Sequence, residues 1–296
     1  NADLNFVNFS GAGTNCSTDS STDCWGPQHW ELALEDMIAK NIKVTSNSWT
    51  WDDSADVDHI LNYASTNSVS VYEALVHYQT NDANGNGVVD VWSPSSTTVQ
   101  QWQEFIEAVD EFQKTGVYVT SNSNTTSMST VWGTGTKNFG SPSESLCPMF
   151  PQLCDAFISV VNVTSLESGQ KVLVSSPCGS NGPNCLAHDG FYVTAGSHVT
   201  SGSSIMVPMT GTSMATPQVA GAVALLFEAF PDNTPEQITK RILFTADNSW
   251  FDKNLCYEDT DQDGVFESTD SFTNSCGGFT NTTTYKGLTH QWNRLY

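Results

Sequence analysis

Gly211-Thr212-Ser213-Met214-Ala215-Thr216-Pro217 is the most informative string in this chain, and an apolar segment, 218–229, follows it directly. A serine at the start of a helix keeps an unpaired backbone N–H and sits at the positive end of the helix dipole. Gly211 has no side chain, so another backbone or a substrate can approach it closely. Pro217 is tolerated because the first helical turn has no N–H partners to lose. On its own the string also fits an ordinary capping serine, so the rest of the chain has to decide.

Working outward, 214–229 predicts an apolar helix and 235–246 a second one. The second has Thr234 as N-cap, Pro235 at its first position and Gln237 three residues after the cap. Upstream, 28–40 places Trp30, Ala33, Leu34, Met37 and Ile38 on one helical face, and 99–114 does the same with Val99, Trp102, Ile106, Val109 and Phe112. Strands are expected at 42–47 and 116–121, with shorter ones at 157–163, 172–175 and 190–194, and residues 1–9 read as a strand already under way. Helices between strands predict an α/β fold with a mainly parallel sheet covered on both faces. No internal repeat and no linker splits the chain, so residues 1–296 form one domain, with 55–97 as an insertion.

The composition narrows the class. With 296 residues and 38% apolar content the chain can bury a sizeable core. No apolar run is long enough to span a bilayer. Ten Lys plus Arg against 32 Asp plus Glu give a net charge of −22, which repels nucleic-acid phosphates and anionic lipid. Eight cysteines fall into four local couples, Cys16/Cys24, Cys147/Cys154, Cys178/Cys185 and Cys256/Cys276. Sequence alone leaves the pairing open, but short loops are the easiest to close. Disulfides imply an oxidising, extracellular setting. The start has neither the basic residues nor the cleavage site of a secretory leader, and the end carries no terminal signal. Both ends are expected to be cut.

Extended through Gln218-Val219-Ala220-Gly221, the opening string resembles the nucleophile motif of the subtilisin-like serine proteases, the subtilases or peptidase family S8. Residues 1–9 resemble that family's central strand. Asn47-Ser48-Trp49 resembles the end of its substrate-aligning strand, and Gly116 to Asn124 the strand leading to its oxyanion asparagine. Phe157 to Val163 and Tyr192 to Gly196 resemble the segments that follow. The resemblance implies a three-layer subtilisin-like fold, truncated at both termini. Ser213 would be the nucleophile and Asn124 the oxyanion donor beside the Ser213 N–H. Ser48, Trp49, Thr50, Asn122 and Ser123 would line a cleft that pairs with an extended peptide. Ser123 replaces the family's glycine and narrows the first specificity pocket. Polypeptide substrates, a propeptide and a monomeric chain are expected on this reading, with no nucleic-acid or membrane partner.

A serine hydrolase also needs a base and a carboxylate to orient it. The family's Asp-small-Gly and His-Gly-Thr strings are absent, and none of His29, His59, His77, His188, His198 and His290 is followed by Gly-Thr. The simplest account is a parent protease whose opening portion lies outside this sequence, so that these 296 residues alone are not competent. A catalytically inactive binding module on the same scaffold is the alternative. A serine-carboxyl peptidase would want an acidic oxyanion residue, and Asn124 speaks against it.

Two acidic loops point to calcium. Asp259, Asp261, Asp263, Glu267 and Asp270 supply oxygens at loop positions 1, 3, 5, 9 and 12. Gly264 stands at the sharp turn and the Val265 carbonyl at position 7. Asp82, Asn84, Asn86 and Asp90 repeat the opening half within the 55–97 insertion, with Ser93 closing it and fewer charges. Oxygen-only ligands exclude zinc and copper. Ca2+ would be a stabilising ion here, outside the chemistry.

Overall fold

A computed structural model describes residues 26–48, 57–80, 97–122, 124, 145–165, 171–173, 175, 178–197 and 205–246, and the strands 251–258, 271–273, 282–285, 288–291 and 294–295. The first half is helical: α1 (Pro27–Ala39), α2 (Val57–Asn67), α3 (Val71–Thr80) and α4 (Val99–Gln113) precede β1 (Tyr118–Ser121). A short α5 (Leu146–Met149) leads to β2 (Phe157–Ser165), β3 (Lys171–Leu173), β4 (Cys185–Asp189) and the β5–β6 hairpin (Val193–Ser197, Ile205–Met209). The long α6 (Thr212–Ala229) and α7 (Pro235–Thr245) follow. The chain finishes with β7 (Phe251–Glu258), β8 (Ser271–Thr273), β9 (Thr282–Tyr285), β10 (Leu288–Gln291) and β11 (Arg294–Leu295).

Local chemistry sets these boundaries. Thr98 and Thr234 form reciprocal capping boxes with Gln101 and Gln237 at the starts of α4 and α7. Asn41, in left-handed geometry at φ 54°, stops α1, and the Ile42 N–H reaches back to the Met37 carbonyl. Ser68 ends α2 in the same way, with the Val69 N–H on Ala64, and Ser70 and Glu73 exchange capping bonds to start α3. The insertion expected at 55–97 therefore contains two helices. Their signals were the i, i+3, i+4, i+7 spacing of Val57, Ile60, Leu61 and Ala64, and the Ser-x-x-Glu cap.

The main sheet runs β11-β4-β2-β3-β7-β8, with β1 also paired to β2. β4 lies on one edge of β2. On the other edge β1 pairs with residues 157–160 and β3 with 163–165. The β1/β2, β2/β4, β4/β11 and β3/β7 pairs are parallel, while β2/β3 and β7/β8 are antiparallel. Beyond β1, segment 43–47 adds a further parallel partner through bridges at Val44–Val117 and Asn47–Thr120. The strand expected at 190–194 is instead two strands broken by a corner. β4 stops at Asp189, Tyr192 takes φ 51°, and β5 begins at Val193.

Pleat alternation sorts the strand residues onto two faces. Tyr118 and Phe157 face a layer built from α1 to α4, while Val119, Ile158 and Val160 face α6 and α7. The result is the three-layer α/β arrangement expected. Disulfides join Cys147 to Cys154 and Cys178 to Cys185, as the local couples suggest. Cys256 lies in β7, and Cys16, Cys24 and Cys276 fall outside the described residues, as do both calcium-loop segments, 82–93 and 259–270. Among the described residues no helix is long and apolar enough to cross a membrane.

Candidate active site

Parallel strands end on one side of a sheet, and loops that leave those ends form a crevice. Here that side collects Asn47 and Ser48, Asn122 and Asn124 after β1, the Asp189–Gly190 corner after β4, and the N-terminus of α6.

Ser213 is the second residue of α6, and its neighbours account for the donors of the first turn. The Thr212 N–H donates to Asn124 Oδ1 at 2.8 Å. The Met214 and Ala215 N–H groups both go to the Gly211 carbonyl, at 3.0 and 3.3 Å. The Ser213 N–H has no partner among the described residues, so it remains at the positive end of an eighteen-residue helix. Ser213 Oγ donates to the Ser48 carbonyl at 3.0 Å, which ties the helix start to the neighbouring strand end.

Asn124 is oriented by the same threonine. Its Oδ1 accepts from both the N–H and the hydroxyl of Thr212, at 2.8 and 2.9 Å. A backbone N–H only donates, so the amide oxygen must face Thr212 and Nδ2 is the group left to donate. The single proton of the Thr212 hydroxyl is shared between Asn124 Oδ1 and the Asn122 carbonyl, which lies at 2.5 Å. Asn122 is buried, and its side-chain oxygen accepts from Ser159 on β2. Two donors beside a hydroxyl, Ser213 N–H and Asn124 Nδ2, can stabilise negative charge developing on a carbonyl oxygen.

Gly211 makes this turn possible. Its φ of +154° suits glycine, and a Cβ there would meet Asn124 Oδ1 at 3.0 Å. Its N–H donates to the Gly190 carbonyl at 3.0 Å. The structure thus brings Ser48, Asn122, Asn124 and Ser213 together, while Trp49, Thr50 and Ser123 lie outside the described residues. Sequence patterning does not single out Thr212 or Gly190, because a threonine beside the nucleophile and a glycine after a strand are common. His188 is near the corner in sequence, but its Nδ1 contacts the Asp189 carbonyl at 3.3 Å.

Among solved structures the chain is similar to the PatG macrocyclase domain, at 14% identity over 76% of this chain and 49% of that one, with a TM-score of 0.43. It is similar to Sphericase at 16% identity over 78% and 57%, with a TM-score of 0.42. It is also similar to fervidolysin from Fervidobacterium pennivorans, a keratinolytic enzyme related to subtilisin, at 20% identity over 60% and 25%, with a TM-score of 0.35. The chain thus spans about half or less of two of these structures and 57% of Sphericase. No curated protein matches it in sequence. The Subtilase family model, Peptidase_S8, matches residues 13–274, and the chain belongs to that family.

Proposed function

We propose that this chain carries the nucleophile and oxyanion half of a serine endopeptidase. Ser213 Oγ attacks the peptide carbonyl, and the oxyanion is held by the Ser213 N–H and Asn124 Nδ2. The observation that carries this reading is the Thr212 clamp. It fixes the Asn124 amide with its oxygen on Thr212 and leaves its NH2 to donate, and Thr212 is next in sequence to Ser213, whose N–H has no partner among the described residues. The proton acceptor is a histidine outside this sequence, since the 296 residues contain no His-Gly-Thr string. Ser48, Trp49, Thr50, Asn122 and Ser123 form the wall along which an extended polypeptide lies. Calcium at Asp259, Asp261, Asp263, Val265, Glu267 and Asp270, and at Asp82, Asn84, Asn86 and Asp90, stabilises two loops. Secretion fits the two disulfides among the described residues and the net charge of −22.

A second reading, a non-catalytic binding module, draws on one contact: Ser213 Oγ donates its proton to the Ser48 backbone carbonyl. A fluorophosphonate probe separates the two when it is applied to the parent protein, with the segment that supplies the histidine present. Modification of Ser213, seen by mass spectrometry and absent in Ser213→Ala, supports the endopeptidase. An unmodified Ser213 in a protein that still binds an extended peptide supports the module.

A further inference from the structure

Asn162 is an amide in the middle of an apolar strand. It lies in β2 between Val161 and Val163, it is fully buried, and its backbone pairs with His188 of β4. A buried polar side chain is costly unless it is bonded, and a strand interior requires none. Its Oδ1 accepts the Gly190 N–H at 2.7 Å, while its Nδ2 has no partner among the described residues. Ser175 Oγ accepts the Asn162 N–H at 2.9 Å and so holds the backbone behind it.

Gly190 links this amide to the nucleophile turn. A Cβ there would lie 2.4 Å from the Gly211 carbonyl oxygen and 2.9 Å from both the Ala215 nitrogen and Asn162 Oδ1. The corner is therefore pressed against the start of α6. The Gly190 carbonyl accepts the Gly211 N–H, and the Gly211 carbonyl in turn accepts from Met214 and Ala215. An unbroken series of bonds runs from the Asn162 side chain through Gly190 and Gly211 into the turn that carries Ser213. From the other side, Gln218 Nε2 donates to the Asp189 carbonyl at 2.8 Å and to the Met214 carbonyl at 2.9 Å.

We propose that Asn162 is a positioning residue for Ser213: its Oδ1 fixes the Gly190 corner and, through Gly211, the placement of the Ser213 N–H and hydroxyl. The proposal rests on the acyl-transfer reading of Ser213. Asn162 is buried and acts only through the corner.

Three variants of the parent protein, with the segment that supplies the histidine present, test it. Asn162→Leu keeps the size and removes the acceptor. Asn162→Asp keeps the acceptor oxygen and puts a second carboxyl oxygen, held protonated by burial, in the place of the partnerless NH2. Asn162→Ser, too short to reach Gly190, replaces the leucine variant should that one not fold. Two quantities are measured: amide hydrogen exchange over 188–192 and 210–214, and the rate of fluorophosphonate modification of Ser213 against probe concentration. In Asn162→Leu the Gly190 and Gly211 amides exchange roughly tenfold faster or more. The maximal modification rate falls about 10- to 100-fold at an unchanged half-saturating concentration. Asn162→Asp restores both. Wild-type exchange and rate in Asn162→Leu overturn the proposal, as does an Asp variant that behaves like the leucine one. If Ser213 is unmodified in every form, the endopeptidase reading fails, and exchange alone decides: corner protection lost in Leu and kept in Asp upholds the positioning of the turn, and equal protection overturns it.

Discussion

The two helical layers solve the packing problem with different residues. On the α1–α4 side the core is aromatic: Trp30, Trp102 and Phe105 meet edge to face with ring centroids 5.2–6.5 Å apart, and Phe112 is fully buried nearby. On the α6–α7 side it is made of small and aliphatic groups, with Ala215, Val219, Ala220 and Val223 against Val119, Val160 and Leu186. Rings bury large areas and hold helices at a distance. Alanines and glycines let a helix backbone settle on the strand ends, and only that closeness lets Gly211 bond to Gly190. One layer supplies stability through area, and the other supplies position through proximity.

Breaking each layer at its centre gives different kinds of damage. Trp102→Ala removes a fully buried ring from the aromatic side and is expected to cost about 3–5 kcal/mol. The urea midpoint falls, and any Ser213 modification is lost only as the protein unfolds. Gly190→Ala acts on the other side. Its methyl overlaps the Gly211 carbonyl, so the turn must shift, at a stability cost of about 1–3 kcal/mol. Modification of Ser213 by a fluorophosphonate is expected to slow about 100-fold in folded protein, because small misplacements of a nucleophile are expensive. Equal losses of stability and modification rate in both variants would erase the distinction between the layers.

The same contrast explains what could be seen in the sequence. The helices of the aromatic side are amphipathic, so Trp30, Leu34, Trp102, Ile106 and Phe112 announce their faces by spacing alone. α6 was legible for another reason, a local string ending in an apolar run. Hidden were the long-range bonds: Thr212 to Asn124 spans 88 residues, Gly211 to Gly190 spans 21, and Gly190 to Asn162 spans 28. Periodicity carries no information about such pairs. The corner at Gly190 is hidden within one expected strand, 190–194, because the apolar residues Phe191, Tyr192 and Val193 continue across it. Asn162 reads as one polar residue in the β-prone run Phe157–Val163, although a polar residue flanked by valines is the signal that marks it.

Helix caps give a smaller and more symmetrical test. Thr98→Ala on α4 and Thr234→Ala on α7 each remove a side-chain acceptor and half of a reciprocal cap, expected to cost about 1 kcal/mol apiece. Equal shifts in urea midpoint would show that the layers differ in their cores and not at their ends. A Thr234→Ala variant that also slowed Ser213 modification would mean that α7 helps to seat α6.

Charge distinguishes the layers last and most weakly. Burial, then Glu104, Glu35 and Glu107, hold the Glu31 carboxyl above the ordinary carboxylate range on the outer face of α1 and α4. A raised native pKa means that the folded state binds the proton more readily than the unfolded chain. The associated stability is complete below the unfolded pKa, about 4.3, and is lost as pH rises through the native value. At pH 7 the charge is therefore a liability, and Glu31→Gln is expected to stabilise by about 0.3 kcal/mol once solvent screening is allowed for. At pH 3 the wild-type carboxyl is already neutral and the gain vanishes. On α7 the sign reverses, because Glu236 pairs with Lys240 one turn on, and Glu236→Gln removes an attraction. Urea midpoints at the two pH values settle it: a Glu31→Gln gain that persists at pH 3 would place its origin in packing and not in the acidic face.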